Sequence, residues 1–227
     1  SYLASVFNYS GLNFGSFGTT RELNFANLGL GVQLIRSEGM TKTISTGDST
    51  GMFNYQSFVP LVAGNFEFNR FVLGVKVLFP YTTVDEFRSY GLGADIGTIY
   101  SLNDMFSFSV YLRNFGRELK PFLSEKEDFP ADLRFGGLAK KDKIIFSLEY
   151  SSLFGICSSI SSDFNEIIGL TAGYKSKIGK FSGIETSKIS GFSVGVNIKH
   201  QKMNISVGTV ISEPEGMSET ISISFIH

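Results

Sequence analysis

The sequence predicts an all-β protein whose 227 residues form a single domain, a transmembrane, antiparallel, up-and-down β-barrel of about 14 strands. Three observations carry this. Apolar and polar residues alternate with period two, as in Phe106, Phe108, Val110 and Leu112 against Ser107, Ser109, Tyr111 and Arg113. Most runs are ~9 to 13 residues long, beyond the ~5 to 6 usual in soluble sheets and close to the ~9 to 11 of tilted strands that cross a bilayer. Short turns also alternate with longer polar connections, the asymmetry expected between the two rims of an outer-membrane barrel.

Taken in order, runs 1–9 and 12–20 are joined tightly at Ser10 and Gly11. Run 27–36 sets Leu28, Leu30, Val32 and Leu34 against Gly29, Gly31 and Gln33. A polar connection over 37–51 leads to run 52–64, and a short turn at 65–69 to run 70–80, where Leu73, Val75, Val77 and Phe79 oppose Gly74 and Lys76. Beyond a second polar connection, 81–88, runs 89–101 and 105–115 form a hairpin through residues 102–104. Both put odd-numbered residues on the polar face, so the turn must hold an odd number of residues. A three-residue turn centred on Asn103 or Asp104 places Asp95 opposite Tyr111 or Arg113, and predicts an Asp95–Arg113 ion pair within ~4 Å.

A third polar connection, 116–130, precedes run 131–139, and a short turn at 140–142 leads to run 143–151. Run 152–160 then follows directly where a long connection is due, so either the loop is very short or residues are missing there. The remaining runs are 166–175, 190–199, 203–211 and 218–226, separated by short turns at 161–165 and 200–202 and by a long polar stretch over 176–189. Counting back from the end puts the C-terminus on the short-turn rim.

A charge on the lipid face near the midplane costs roughly 2 to 4 kcal/mol, so Lys76, Asp95, Arg113, Glu149 and Lys199 are expected to face the lumen together with Asn197. Phe106, Phe108, Val110, Leu112, Phe192 and Val194 are expected to face lipid. Tyr81, Tyr90, Tyr100, Phe115, Tyr150 and Tyr174 lie near run ends, where interfacial girdles belong. Lys120, Glu125, Lys126, Glu127 and Asp128 read as a solvated external loop without the spacing of a calcium-binding hand. The pattern alone leaves one soluble alternative open, a β-sandwich binding module whose polar faces are solvated.

Composition removes several classes. With 20 Lys+Arg against 21 Asp+Glu, no strong field recommends nucleic acid. Charged residues at 18% fall below the ~25% of soluble domains, while the 25 Gly and 23 Phe suit an aromatic-rich sheet. No apolar run reaches the ~18 residues of a membrane helix; the best, 71–79, is interrupted by Lys76. Only His200 and His227 are present, and Cys157 is the sole cysteine, so catalytic triads and His or Cys metal sites lack parts. Gly91, Gly93 and Gly97 miss the GxGxxG spacing and read as small inward-facing strand residues. The chain is therefore expected to be no enzyme and to need no metal or cofactor.

The stretch YGLGADIGTIYSLNDMFSFSVYLRNFGRELKPF from Tyr90, the following FPADLRFGG and the closing GFSVGVNIKHQKMNISVGTV resemble the PorV/PorQ family of FadL-like outer-membrane barrels. The resemblance implies a fourteen-stranded barrel of the Gram-negative outer membrane with an N-terminal signal and plug segment ahead of it; because Ser1 opens on strand-like sequence, that segment is expected to be absent from this sequence. It further implies an accessory or cargo-shuttle role in type IX protein secretion, with other outer-membrane or secretion-system proteins as partners. The alternative is FadL-like transport of fatty acids or other hydrophobic solutes, with ligand or lipid in the lumen.

Overall fold

The computed structural model describes residues 2–9, 12–24, 26–43, 49–176, 191–212 and 216–225. In chain order the strand segments are β1 (Tyr2–Tyr9), β2 (Leu12–Glu22), β3 (Asn27–Thr43), β4 (Ser49–Phe68), β5 (Phe71–Leu78), β6 (Tyr81–Val84), β7 (Phe87–Ser101), β8 (Phe106–Lys120), β9 (Asp132–Lys141), β10 (Ile144–Ser151), β11 (Gly155–Asp163), β12 (Ile168–Lys175), β13 (Phe192–His200), β14 (Met203–Ser212) and β15 (Gly216–Phe225). All pairings are antiparallel, and β1 closes on β15, so the sheet has no free edge. Closure pairs each described strand on both sides from within the sheet, as a lipid environment requires.

β5 and β6 are halves of one wall strand. Leu61↔Leu78 and Phe58↔Tyr81 share one register against β4, and Leu78↔Gly93 and Tyr81↔Tyr90 share one against β7. The gap at Phe79 and Pro80 arises because proline has no N–H to give to the ladder. Counted as staves, the barrel has 14.

The apolar side chains lie outside. Among the described residues the buried hydrophobics are Ala26, Leu78 and Leu153, whereas Leu30, Val194, Phe108 and Ile221 are each more than half exposed. A soluble sandwich would bury these between two sheets; one sheet closed on itself, with its apolar face outward, is a lipid-facing wall, and the sandwich alternative is ruled out. Phe68, Phe71 and Phe106 are exposed at the short-turn rim, with Phe71 and Tyr100 at 4.7 Å between ring centroids. Tyr81, Tyr90, Phe115, Tyr150 and Tyr174 are exposed toward the other rim. The ~10 residues from Phe71 to Tyr81, at ~3.3 Å each and tilted ~40°, span ~25 Å, the height of the apolar band of such barrels.

Local chemistry explains the turns. Asn69, Asp85, Asp142 and Gln201 each begin a two-residue hairpin connection with φ of 54°, 57°, 53° and 51°. Asn and Asp tolerate this left-handed region better than other non-glycine residues. Two longer turns share another device: Asn103 Oδ1 accepts from the N–H groups of Met105 (2.9 Å) and Phe106 (2.8 Å), and Asn165 Oδ1 from those of Ile167 (2.8 Å) and Ile168 (2.7 Å). The register Ser101↔Ser107 leaves an odd number of residues in the first of them, as the face parity of its strands demands. Tyr2 pairs with Phe225 on this same rim.

Several connections expected as loops are strand. β3 and β4 continue to Thr43 and from Ser49, and β8 continues to Lys120. The stretch 81–88 is not a long polar loop: Tyr81, Thr82, Thr83 and Val84 extend the wall, and only Asp85 and Glu86 turn. Pro80 and the polar threonines mimic a loop, but threonine is β-branched, and Thr82 meets Ser57 hydroxyl to hydroxyl at 3.0 Å across the sheet. The abutting serines at 151 and 152 form a very short connection, with Ser151 paired to Gly155. The connection over 176–189 lies, apart from Ser176, outside the described residues, as does His227.

Candidate functional site

Strand parity builds two groups of charged side chains on the inner wall. In the first, Lys76 and Asp95 are direct cross-strand partners and form an ion pair. Arg113 Nε lies 3.9 Å from Asp95 Oδ2, and its side chain keeps 41% of its exposure. The register between β7 and β8 shifts between Ala94 and Ile96, so that Asp95 faces both Arg113 and Asn114. Asn114 takes φ 54° and gives its N–H to Asp95 Oδ1 at 2.8 Å. This β-bulge reverses the alternation of β8: Val110 points outward below it and Phe115, 65% exposed, points outward above it.

The group lines a cavity of ≈480 Å³ whose wall includes Gly29, Ala63, Gly74, Gly97 and Tyr111. A second cavity of ≈230 Å³, toward the long-loop rim, is lined by Gln33, Val59, Leu78, Phe129 and Pro130 and shares Lys76 and Arg113 with the first. Lys76 and Arg113 bring two cations to this junction against the one anion of Asp95. At Gly97 a Cβ would stand 2.5 Å from Tyr111 Cβ, so this glycine makes room for the Tyr111 side chain on the inner wall.

The second group lies on β8, β9 and β10. Arg134 bonds Asp132 and, at 2.7 Å, Glu149 Oε1; Tyr111 donates its hydroxyl to Glu149. The Arg134 guanidinium lies 5.8 Å from the ring centroids of both Tyr111 and Phe154. Asp132, 1% exposed, also accepts from Ser151 Oγ at 2.8 Å, Ser152 Oγ at 3.1 Å and the Leu153 N–H at 3.2 Å. It thereby ties down the 151–155 turn from the inner wall.

Of the other expected inward residues, Lys199 bonds both oxygens of Asp163 at 2.8 Å near the short-turn rim, and Asn197 is half-buried between Gly169 and Ser206. Phe106, Phe108, Val110, Phe192 and Val194 are exposed on the outer face, and Leu112 is half-buried there. Lys120 ends β8, and Glu125, Lys126, Glu127 and Asp128 are exposed. Part of this segment prolongs the wall: Arg117 bridges to Asp128 in the register that pairs Arg113 with Asp132.

Asp132, Arg134 and Phe129 are site residues absent from the sequence reading, which placed Tyr111 on the polar face of its strand without its bond to Glu149. The first two were recoverable, since they alternate with Leu133 and Phe135 as Glu149 does with Leu148 and Tyr150. Nothing in the sequence marks the position of the Phe129 ring. Cys157 lies on the inner wall between Glu149 and Lys175. Among the described residues no group of three or more His, Cys, Asp or Glu side chains converges as a metal site would require.

No family model matches this sequence, and no curated protein matches it. Solved structures do resemble it in shape. The CymD monoaromatic hydrocarbon channel superposes with a TM-score of 0.66 at 10% identity, over 100% of this chain and 88% of that one. The Pseudomonas putida toluene transporter TodX gives 0.64 at 10% identity, over 98% and 86%. A Pseudomonas aeruginosa FadL homologue gives 0.58 at 10% identity, over 98% and 87%. At such identities the likeness speaks for the fold: a FadL-like barrel. The first two are a hydrocarbon channel and a toluene transporter, and none of the likenesses singles out the PorV/PorQ branch.

Proposed function

We propose that this protein is a non-enzymatic barrel of the bacterial outer membrane that passes a hydrophobic solute through its lumen, with the lipid bilayer as its surroundings. The observation that carries this reading is a pair of connected lumenal cavities beside a weakened stretch of wall. Phe79 donates its N–H to the Pro60 carbonyl at 3.0 Å, and Gly91 donates to the Pro80 carbonyl at 2.9 Å. The reciprocal bonds have no donor, because residues 60 and 80 are prolines. Two neighbouring seams thus each lack a ladder bond at the height of the upper cavity, which Pro80 itself lines. A soft seam beside a largely apolar chamber gives a hydrophobic molecule a way between lumen and lipid. The fold shared with hydrocarbon channels supports the same reading.

The test is uptake of a monoaromatic hydrocarbon and of a long-chain fatty acid by cells that differ only in carrying this barrel. Faster, saturable entry of either supports transport; equal entry of both overturns it. An accessory or cargo-shuttle role in type IX secretion is supported only by the sequence resemblance. Recovery of secretion-machinery proteins with the barrel from mildly solubilised outer membranes, and no hydrophobic ligand, would favour it.

A further inference from the structure

The glycines at 91 and 93 do more than spare room. A Cβ at Gly91 would collide with Phe129 Cζ, and a Cβ at Gly93 would stand 3.3 Å from Phe129 Cδ2 and 2.7 Å from Leu78 Cδ1. The Phe129 ring therefore rests against the inner face of the wall over Gly91 and Gly93, in a recess that exists because both positions lack side chains. Its backbone is held there: the Phe129 N–H donates to the Gly116 carbonyl at 2.8 Å, and the Glu118 N–H to the Glu127 carbonyl at 2.9 Å. Glu118 adds a clamp, accepting from Ser89 Oγ at 2.6 Å and from the Glu127 N–H at 3.3 Å. Below the ring lies the ≈230 Å³ cavity that opens onto Lys76 and Arg113.

We propose that Phe129 is the size-determining residue at the long-loop mouth of the lumen, and that Gly91 and Gly93 form the parking recess that keeps its ring out of the passage. An aromatic ring that cannot enter the recess must turn into the lumen, because its backbone stays bonded to β8. A side chain at position 91, whose Cβ would collide with Phe129 Cζ, therefore narrows the passage without lying in it. The proposal rests on the lumen being a passage, as the transport reading holds, but not on which solute passes.

The test uses the full chain with Cys157→Ser and a reporter at Ala63→Cys, which lines the deeper cavity. A membrane-impermeant thiol reagent is added to intact cells, and the labelling rate is read. Gly91→Ala is expected to slow labelling severalfold, and Gly91→Ala combined with Phe129→Ala to restore it. Phe129→Trp, too large for the recess, is expected to slow labelling in the same way, and it carries the test should Gly91→Ala, whose Cβ would also stand 2.8 Å from the Arg117 carbonyl oxygen, fail to fold by unheated-gel mobility. Unchanged labelling in both single variants, or a loss that Phe129→Ala does not relieve, overturns the proposal. Because thiol labelling needs no hydrophobic solute, failure of the uptake experiment leaves this result readable.

Discussion

The two charged groups of the inner wall are built from the same chemistry and are used differently. Around Asp132 every partner is spoken for: a guanidinium, two serine hydroxyls and a backbone N–H converge on a carboxylate with 1% exposure. Around Asp95 the carboxylate is shared between Lys76, Arg113 and a bulged backbone N–H, and the arginine remains 41% exposed over a cavity. A saturated buried group contributes to folding because removing one member leaves uncompensated charge. A group with spare donors facing water contributes little to stability and retains capacity to meet a solute. The difference separates a cluster that holds the wall together from one that, on the proposed transport reading, lines the passage.

That contrast can be broken most severely at Asp132→Ala. Arg134 would keep only Glu149, and the 151–155 turn would lose its acceptor, at a cost of about 3 to 5 kcal/mol. The measurement is the urea midpoint of the barrel in detergent micelles; a shift no larger than that of a surface variant would refute the assignment. Glu149→Gln is milder, since Glu149 is more exposed than Asp132 and holds no turn, and the loss of charge from its bonds to Arg134 and Tyr111 should cost about 1.5 to 3 kcal/mol by the same assay. Arg113→Ala should cost less than about 1 kcal/mol. Its effect should appear instead in planar-bilayer reversal potentials under a salt gradient, which move toward cation preference as the junction loses one of its two cations.

The smallest stability change is expected for Pro80→Ala. A regained ladder bond worth about 0.5 to 1.5 kcal/mol is offset by about 0.4 to 1 kcal/mol of added freedom in the unfolded chain. Unfolding should therefore barely move while hydrocarbon uptake falls. Uptake that stays level would show that the seam at Pro80 is not part of the route.

Much of the wall was legible in the residues because a strand exposes its two faces in strict alternation. Leu28 to Leu34 and Phe192 to Ile198 announce an outer face, and Lys76, Asp95 and Glu149 follow from the cost of placing charge in lipid. Places where the period slips were not legible. The bulge at Asp95 turns Phe115 outward and Glu118 inward, although both lie on one unbroken strand. Pro80 reads as a terminator, yet its neighbours continue in register on both sides.

The sequence by itself determined the fold class, the lipid face and the charged identity of the inner wall, since these depend on periodicity and on transfer costs that act residue by residue. The tertiary structure alone decided which inward charges saturate one another, where Pro60 and Pro80 weaken the same stretch of wall, and that Phe129 rests on Gly91 and Gly93. Those relations depend on register between strands distant in sequence, and register is settled only when the sheet closes.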